Sequence, residues 1–107
     1  ANFKIKEIYI TDYVLLETIN FLLRKSNYET ALKTYDYITS TDGIKIFYID
    51  SVMLLNIGNL FKKYKELSLT DCSLVALAES LNIKHLFSFD KIFDKVKGIE
   101  RVDEFRV

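Results

Sequence analysis

Proline is absent from the chain and glycine occurs only three times. The sequence therefore holds few breakers of helix or strand and nothing that reads as a linker, a repeat or a low-complexity tract. A single cysteine, Cys72, excludes an internal disulfide and suits a reducing, cytoplasmic setting. Cys72 falls inside a helical pattern and reads as a small packed side chain. No apolar run reaches the roughly 20 residues that a membrane span requires, so no membrane partner is expected. Lys and Glu interrupt the apolar residues of Ala1–Ile10, which does not read as a signal peptide. Neither sign of charge is in excess, with 15 basic and 15 acidic residues. Nucleic-acid binding would have to rest on a local basic patch rather than on net charge.

Apolar material, by contrast, is abundant. Half the residues are hydrophobic, enough for a real core in one domain of 107 residues. Ile8–Ile10 reads as a first strand. Thr11 or Asp12 caps a helix whose stripe is Val14, Leu15, Leu16, Ile19, Leu22 and Leu23, with Glu17, Asn20 or Phe21, and Arg24 along another face. Ser26 or Asn27 caps a second helix, Tyr28–Ile38, with Ala31, Leu32, Tyr35 and Ile38 inward. Thr39–Gly43 reads as a turn and Ile44–Ile49 as a second strand. Asp50 or Ser51 caps a helix over Val52–Tyr64. Its apolar residues nearly encircle it, which predicts burial on two sides and a homo-oligomer.

The most informative stretch is Leu67–Phe93 (LSLTDCSLVALAESLNIKHLFSFDKIF). Ser68 or Thr70 caps a helix with Asp71 in its first turn, and Leu74, Val75, Leu77, Ala78 and Leu81 recur at helical spacing. Asn82 ends that helix, and His85–Phe89 reads as a buried strand with Asp90 at its end. Lys91–Lys97 reads as a turn or 3-10 piece, Gly98 as a breaker and Ile99–Phe105 as a last strand. Helices alternating with strands predict crossover units and a mostly parallel sheet covered on both faces. In such sheets ligands bind beyond the carboxyl ends of strands, where Asp90 and the start of the Asp71 helix both fall. Each carboxylate also has a plainer reading. Asp71 reads as a capping-box residue, Asp90 as a turn-forming Asx residue, and Glu17 as an exposed helical glutamate facing Arg24. His85 stands alone in a strand, and no His/Cys spacing suggests zinc.

Two segments carry a family resemblance. SLTDCSLVALA followed by FSFDKIFD resembles the C-terminal half of the PIN-domain nucleases, VapC-like toxin ribonucleases in particular. TDYVLLETINFLLRK resembles the family segment that holds a metal-binding glutamate. Together they span about Ile8 to Val102. The resemblance implies a single PIN-like domain over residues 1–107, a three-layer α/β fold with a mostly parallel sheet flanked by helices. It implies Glu17, Asp71 and Asp90 as catalytic metal ligands, with Asp94 and Thr70 as additional candidates. Such oxygen donors select Mg²⁺ or Mn²⁺ for phosphodiester hydrolysis. It further implies an RNA substrate and an antitoxin partner in a prokaryotic cytoplasm. Arg24, Lys25, Lys91 and Lys95 are candidates for phosphate contact, against a plainer reading as solvated surface. Tyr13, Phe89 and Phe93 are candidates for base stacking, against a reading as core.

The sequence departs from the family at its start. PIN nucleases open with a central strand ending in an aspartate that supplies a further ligand, and no segment ahead of Glu17 reads that way. The expectation is an N-terminally incomplete or degenerate member that lacks this strand, binds Mg²⁺ weakly and cleaves little RNA. The competing readings are a non-catalytic PIN-like module that binds RNA or protein, and a doubly wound phosphoacceptor domain, for which only Asp12 is available near the first strand.

Overall fold

The structure, a computed structural model, describes residues 7–103. Its elements run β1 (Ile8–Thr11), α1 (Asp12–Lys25), α2 (Tyr28–Ser40), β2 (Ile44–Phe47), α3 (Ser51–Lys63), α4 (Leu69–Ser80), β3 (His85–Phe87), a 3-10 turn (Lys91–Lys95) and β4 (Glu100–Val102). The fold is α/β, with parallel strands and flanking helices. Among the described residues the strands form two parallel pairs, β1 with β2 and β3 with β4. The chain divides into two compact units, one ending at Tyr48 and the next beginning at Ile49.

In the unit ending at Tyr48, β1 and β2 pair in the register Ile8 with Ile44 through Thr11 with Phe47. Parallel neighbours cannot be joined by a tight turn, and α1 and α2 together make the crossover. Tyr9 and Phe47 pack ring against ring across the pair, 5.7 Å between centroids. Thr11 closes β1 and opens α1. It is completely buried, and its Oγ1 accepts the Val14 N–H at 3.1 Å. Asn27 caps α2 in the same way, accepting the Thr30 N–H at 2.8 Å. The structure thus selects Thr11 over Asp12 and Asn27 over Ser26.

Two details of this unit differ from the sequence reading. α2 runs to Ser40 rather than Ile38, because the Thr39 and Ser40 hydroxyls donate back to the carbonyls of Tyr35 and Asp36 and ride on a continuing helix. The predicted turn shrinks accordingly, and β2 stops at Phe47. The inner stripe of α2 is Ala31, Thr34 and Ile38, while Leu32 and Tyr35 are exposed. Period and hydrophobicity find a helix well but fix its rotation poorly when apolar residues span more than one face.

In the unit beginning at Ile49, α3 starts at the Asp50 cap, whose Oδ1 accepts the Met53 N–H at 2.9 Å. α3 packs on α4, and α4 packs on β3. Cys72, Val75 and Ala76 of α4 form the centre of a core with Ile57, Leu60, Leu67, Leu86, Phe93 and Val96. Small side chains along α4 let its neighbours approach closely, so its middle from Cys72 to Ala78 is buried but for half-buried Leu74. The Cys72 thiol sits in this core, and burial, with the Asp71 carboxylate next in effect, pushes its pKa up. It is a packing residue, as its position in the sequence suggested.

α4 ends where Asn82 takes a left-handed conformation (φ 55°), the role expected of it. A short link leads from α4 to β3, and the two elements pack on each other. β3 and β4 pair in parallel, His85 with Glu100 through Phe87 with Val102, and Gly98 turns the chain into β4 at φ 83°. β3 is shorter than the predicted His85–Phe89, although the Ser88 N–H still donates to Val102 O at 2.9 Å. Of the predicted last strand, Glu100–Val102 is strand, and the calls on Glu104 and Phe105 lie outside the described residues.

Within one chain α3 is buried along one side. Ile57 and Leu60 are buried, but Val52, Leu54, Leu55 and Phe61 are about half exposed or more. The physical reason is that, within its unit, α4 covers only one stripe of a helix that is apolar over a wider arc.

Candidate functional site

Asp71 is the third residue of α4 and completes a capping box. Ser68 Oγ accepts the Asp71 N–H, and Asp71 Oδ2 accepts the Ser68 N–H, each at 3.0 Å. The plainer sequence reading of Asp71 is therefore correct as structure. It does not exhaust the side chain, because a carboxylate has two oxygens with several lone pairs. Asp71 is half-buried in the first turn of α4.

Asp90 follows β3 and caps the 3-10 turn. Its Oδ1 accepts the Ile92 N–H at 3.0 Å, and its own N–H donates to Ser88 Oγ at 3.0 Å. Asp90 is exposed. Both aspartates are thus held by one oxygen on backbone N–H groups, and among the described residues neither has a basic partner. The remaining oxygens are hard donors of the kind Mg²⁺ and Mn²⁺ prefer. To that extent the residues present fit such an ion. Among the described residues no group of three or more His, Cys, Asp or Glu is assembled to hold a metal.

The other candidates differ in setting. Glu17 lies on α1, exposed, and together with Asn20, Phe21 and Arg24 lines an open groove, the helical face read from their spacing. Arg24 and Lys25 end that helix, both exposed. Thr70, half-buried in the first turn of α4, offers its carbonyl to the Ser73 hydroxyl at 2.6 Å. Asp94 is engaged by Arg101, with Nε to Oδ1 at 2.9 Å and Nη2 to Oδ2 at 3.5 Å. Lys91 is exposed beside Asp90, and Lys95 pairs with Glu66 at 3.6 Å. Phe93 is core, as its plainer reading held. Phe89 is 77% exposed and meets Phe87 edge to face.

Sequence reading passed over Arg101 and Ser88. Arg101 has a mostly buried side chain that also donates to Ser88 O at 3.1 Å and pairs with Asp103 at 3.5 Å. The hydrogen bond to Asp94, against the opposing effect of desolvation, holds its pKa above the usual arginine value. The available signal was an arginine in a short strand segment with Glu100 directly before it and Asp103 two residues after it.

A family model described as the PIN domain matches residues 2–99. The chain belongs to the PIN-domain family. Its fold is similar to that of the crystal structure of VapC20 from Mycobacterium tuberculosis, a toxin that cleaves the sarcin–ricin loop. The TM-score is 0.74 at 18% identity, over 83% of this chain and 69% of VapC20, a likeness of fold. No curated protein matches the chain. No helix among the described residues is long and apolar enough to cross a membrane. The family read from SLTDCSLVALA and FSFDKIFD is thus the family of this PIN-domain chain.

The capping geometry separates structural from chemical roles at Asp90. Asparagine keeps an oxygen that accepts the Ile92 N–H, and alanine does not. Urea unfolding is expected to place Asp90→Asn within about 0.5 kcal/mol of the parent and Asp90→Ala about 1 kcal/mol below it.

Proposed function

We propose that the protein is a divalent-metal-dependent endoribonuclease of the VapC toxin type. The observation that carries the reading is the pair Asp71 and Asp90, anchored by one oxygen each and lacking a basic partner among the described residues. Both belong to the same compact unit, Asp71 in the first turn of α4 and Asp90 just after β3. PIN-domain membership and the fold of an RNA-cleaving toxin support the choice of RNA as substrate. Asp71 and Asp90 are the proposed ligands within that unit, and Glu17, on α1 of the other unit, is a ligand candidate that rests on the family resemblance alone. A bound Mg²⁺ or Mn²⁺ would polarise the phosphodiester and acidify a water for in-line attack. The side chains' part is to fix that ion and the scissile phosphate. Lys91, Arg24 and Lys25 are proposed to hold backbone phosphates, and exposed Phe89 to stack a base. Thr70 supports the Asp71 turn. The setting proposed is the cytoplasm, under restraint by an antitoxin protein.

The test is cleavage of RNA by the protein in Mg²⁺, Mn²⁺ or EDTA. EDTA is expected to abolish cleavage, and Glu17→Gln, Asp71→Asn and Asp90→Asn each to lower it by roughly 100-fold or more, since misplaced reactants alone can cost that much. EDTA-resistant cleavage would contradict the metal assignment. RNA retention with no cleavage would favour a non-catalytic binding module.

Self-association is the second part of the proposal. Val52, Leu54, Leu55 and Phe61 give α3 an exposed apolar surface of the kind that marks protein contacts. Light scattering is expected to give a dimer or larger species that Leu55→Glu shifts toward monomer. A monodisperse monomer at high concentration would contradict it.

A further inference from the structure

Asp90 sits in a short segment between β3 and the 3-10 turn, and Arg101 grips that segment on both sides. Ahead of Asp90, Arg101 Nη1 donates to Ser88 O at 3.1 Å. Beyond it, Nε and Nη2 reach the two carboxylate oxygens of Asp94. Inside this span, Ser88 Oγ accepts the Asp90 N–H and Asp90 Oδ1 accepts the Ile92 N–H. The guanidinium is itself fixed. It projects from β4, whose Arg101 pairs with Leu86 in the ladder, and its side chain is only 13% exposed. Asp103 at 3.5 Å adds a second anion to hold it.

We propose that Arg101 is a positioning residue for the metal site, stapling Ser88 to Asp94 so that the free oxygen of Asp90 keeps one direction. The inference rests on the reading of Asp90 as a ligand. Arginine is required for geometric reasons. Its planar fork presents several N–H groups at fixed angles, so one side chain bonds a carbonyl and a carboxylate together. Lysine carries the same charge on one nitrogen and cannot hold both partners in that arrangement. Asp94 then acts through Arg101, its carboxylate serving to orient the guanidinium. Partners of this kind, one step removed from the ion, typically alter affinity about 10–100-fold when lost.

The experiment uses Arg101→Lys and Asp94→Asn, with Asp90→Asn as control. Asp94 is about half exposed, so its variant leaves no cavity should the lysine variant fold poorly. Two quantities are read by NMR. One is solvent exchange of the Ile92 amide in metal-free protein, against a Val75 amide in α4 as reference. The other is Mn²⁺ affinity from line broadening. In both variants Ile92 exchange is expected to rise several-fold with Val75 unchanged, and Mn²⁺ affinity to fall roughly tenfold. Lysine is expected not to rescue either readout. Unchanged Ile92 exchange in both variants overturns the staple, and so does full rescue by lysine, which would assign Arg101 a role of charge alone. If Asp90→Asn leaves Mn²⁺ affinity intact, the ligand reading of Asp90 fails and the positioning role falls with it. The exchange data then show separately whether Arg101 still orders the segment.

Discussion

Backbone N–H groups at the start of a helix have no partner within the helix, and this protein meets that requirement with short oxygen-bearing side chains at every α-helix. Thr11, Asn27, Asp50 and Ser68 each accept from the third helical residue. Asp71 and Asp90 belong to the same economy, one completing a capping box and the other capping the 3-10 turn. The constraint fixes more than helix ends. A carboxylate bound to a backbone amide loses rotamer freedom in the act of capping. Its second oxygen is then directed without further cost, a form of preorganisation available to any ligand it meets. Structural and chemical readings of these residues are therefore not rivals.

The surroundings of those caps differ in rigidity. α4 is locked into the core through Cys72, Val75 and Ala76, so Asp71 is placed by a buried helix. Asp90 has no regular element beneath it. Its segment depends on Phe93 and Val96, which seat the 3-10 turn in the same core, and on polar contacts around Ser88. A mostly buried arginine beside such a loop is costly to desolvate unless its donors are matched. Ser88 O, Asp94 and Asp103 match several of them. The expense is reasonable where loop position matters.

The alternation of helix and strand was legible because capping residues and apolar periods agree along the chain. Asn82 announced its left-handed position as the residue that ends α4, whereas Gly98, read only as a breaker, takes the other one among the described residues and Gly43, read as free to take positive φ, does not. The acids of SLTD and FSFD stood out because each follows a β-rich or cap-like context. Helix rotation was less legible. Leu32, Tyr35, Leu54 and Leu55 are apolar by type yet exposed, since sequence gives hydrophobicity without naming the neighbour that covers it. Arg101 was illegible for a related reason. Its partners Ser88 and Asp94 are brought to it by the parallel pairing of β3 with β4, a nonlocal contact that no local period encodes. Asp94, an additional ligand candidate by the resemblance, carries an ion pair with Arg101 that the sequence did not disclose.

Line broadening of backbone amides by substoichiometric Mn²⁺ tests most directly whether Asp71 and Asp90 share one cation. It works even at weak affinity. If they share it, the amides of Thr70–Cys72 and of Asp90–Ile92 broaden together at the same Mn²⁺ concentration, and Asp71→Asn or Asp90→Asn alone weakens broadening at both segments. Each substitution silencing only its own segment, or broadening confined to other parts of the chain, would contradict a shared site.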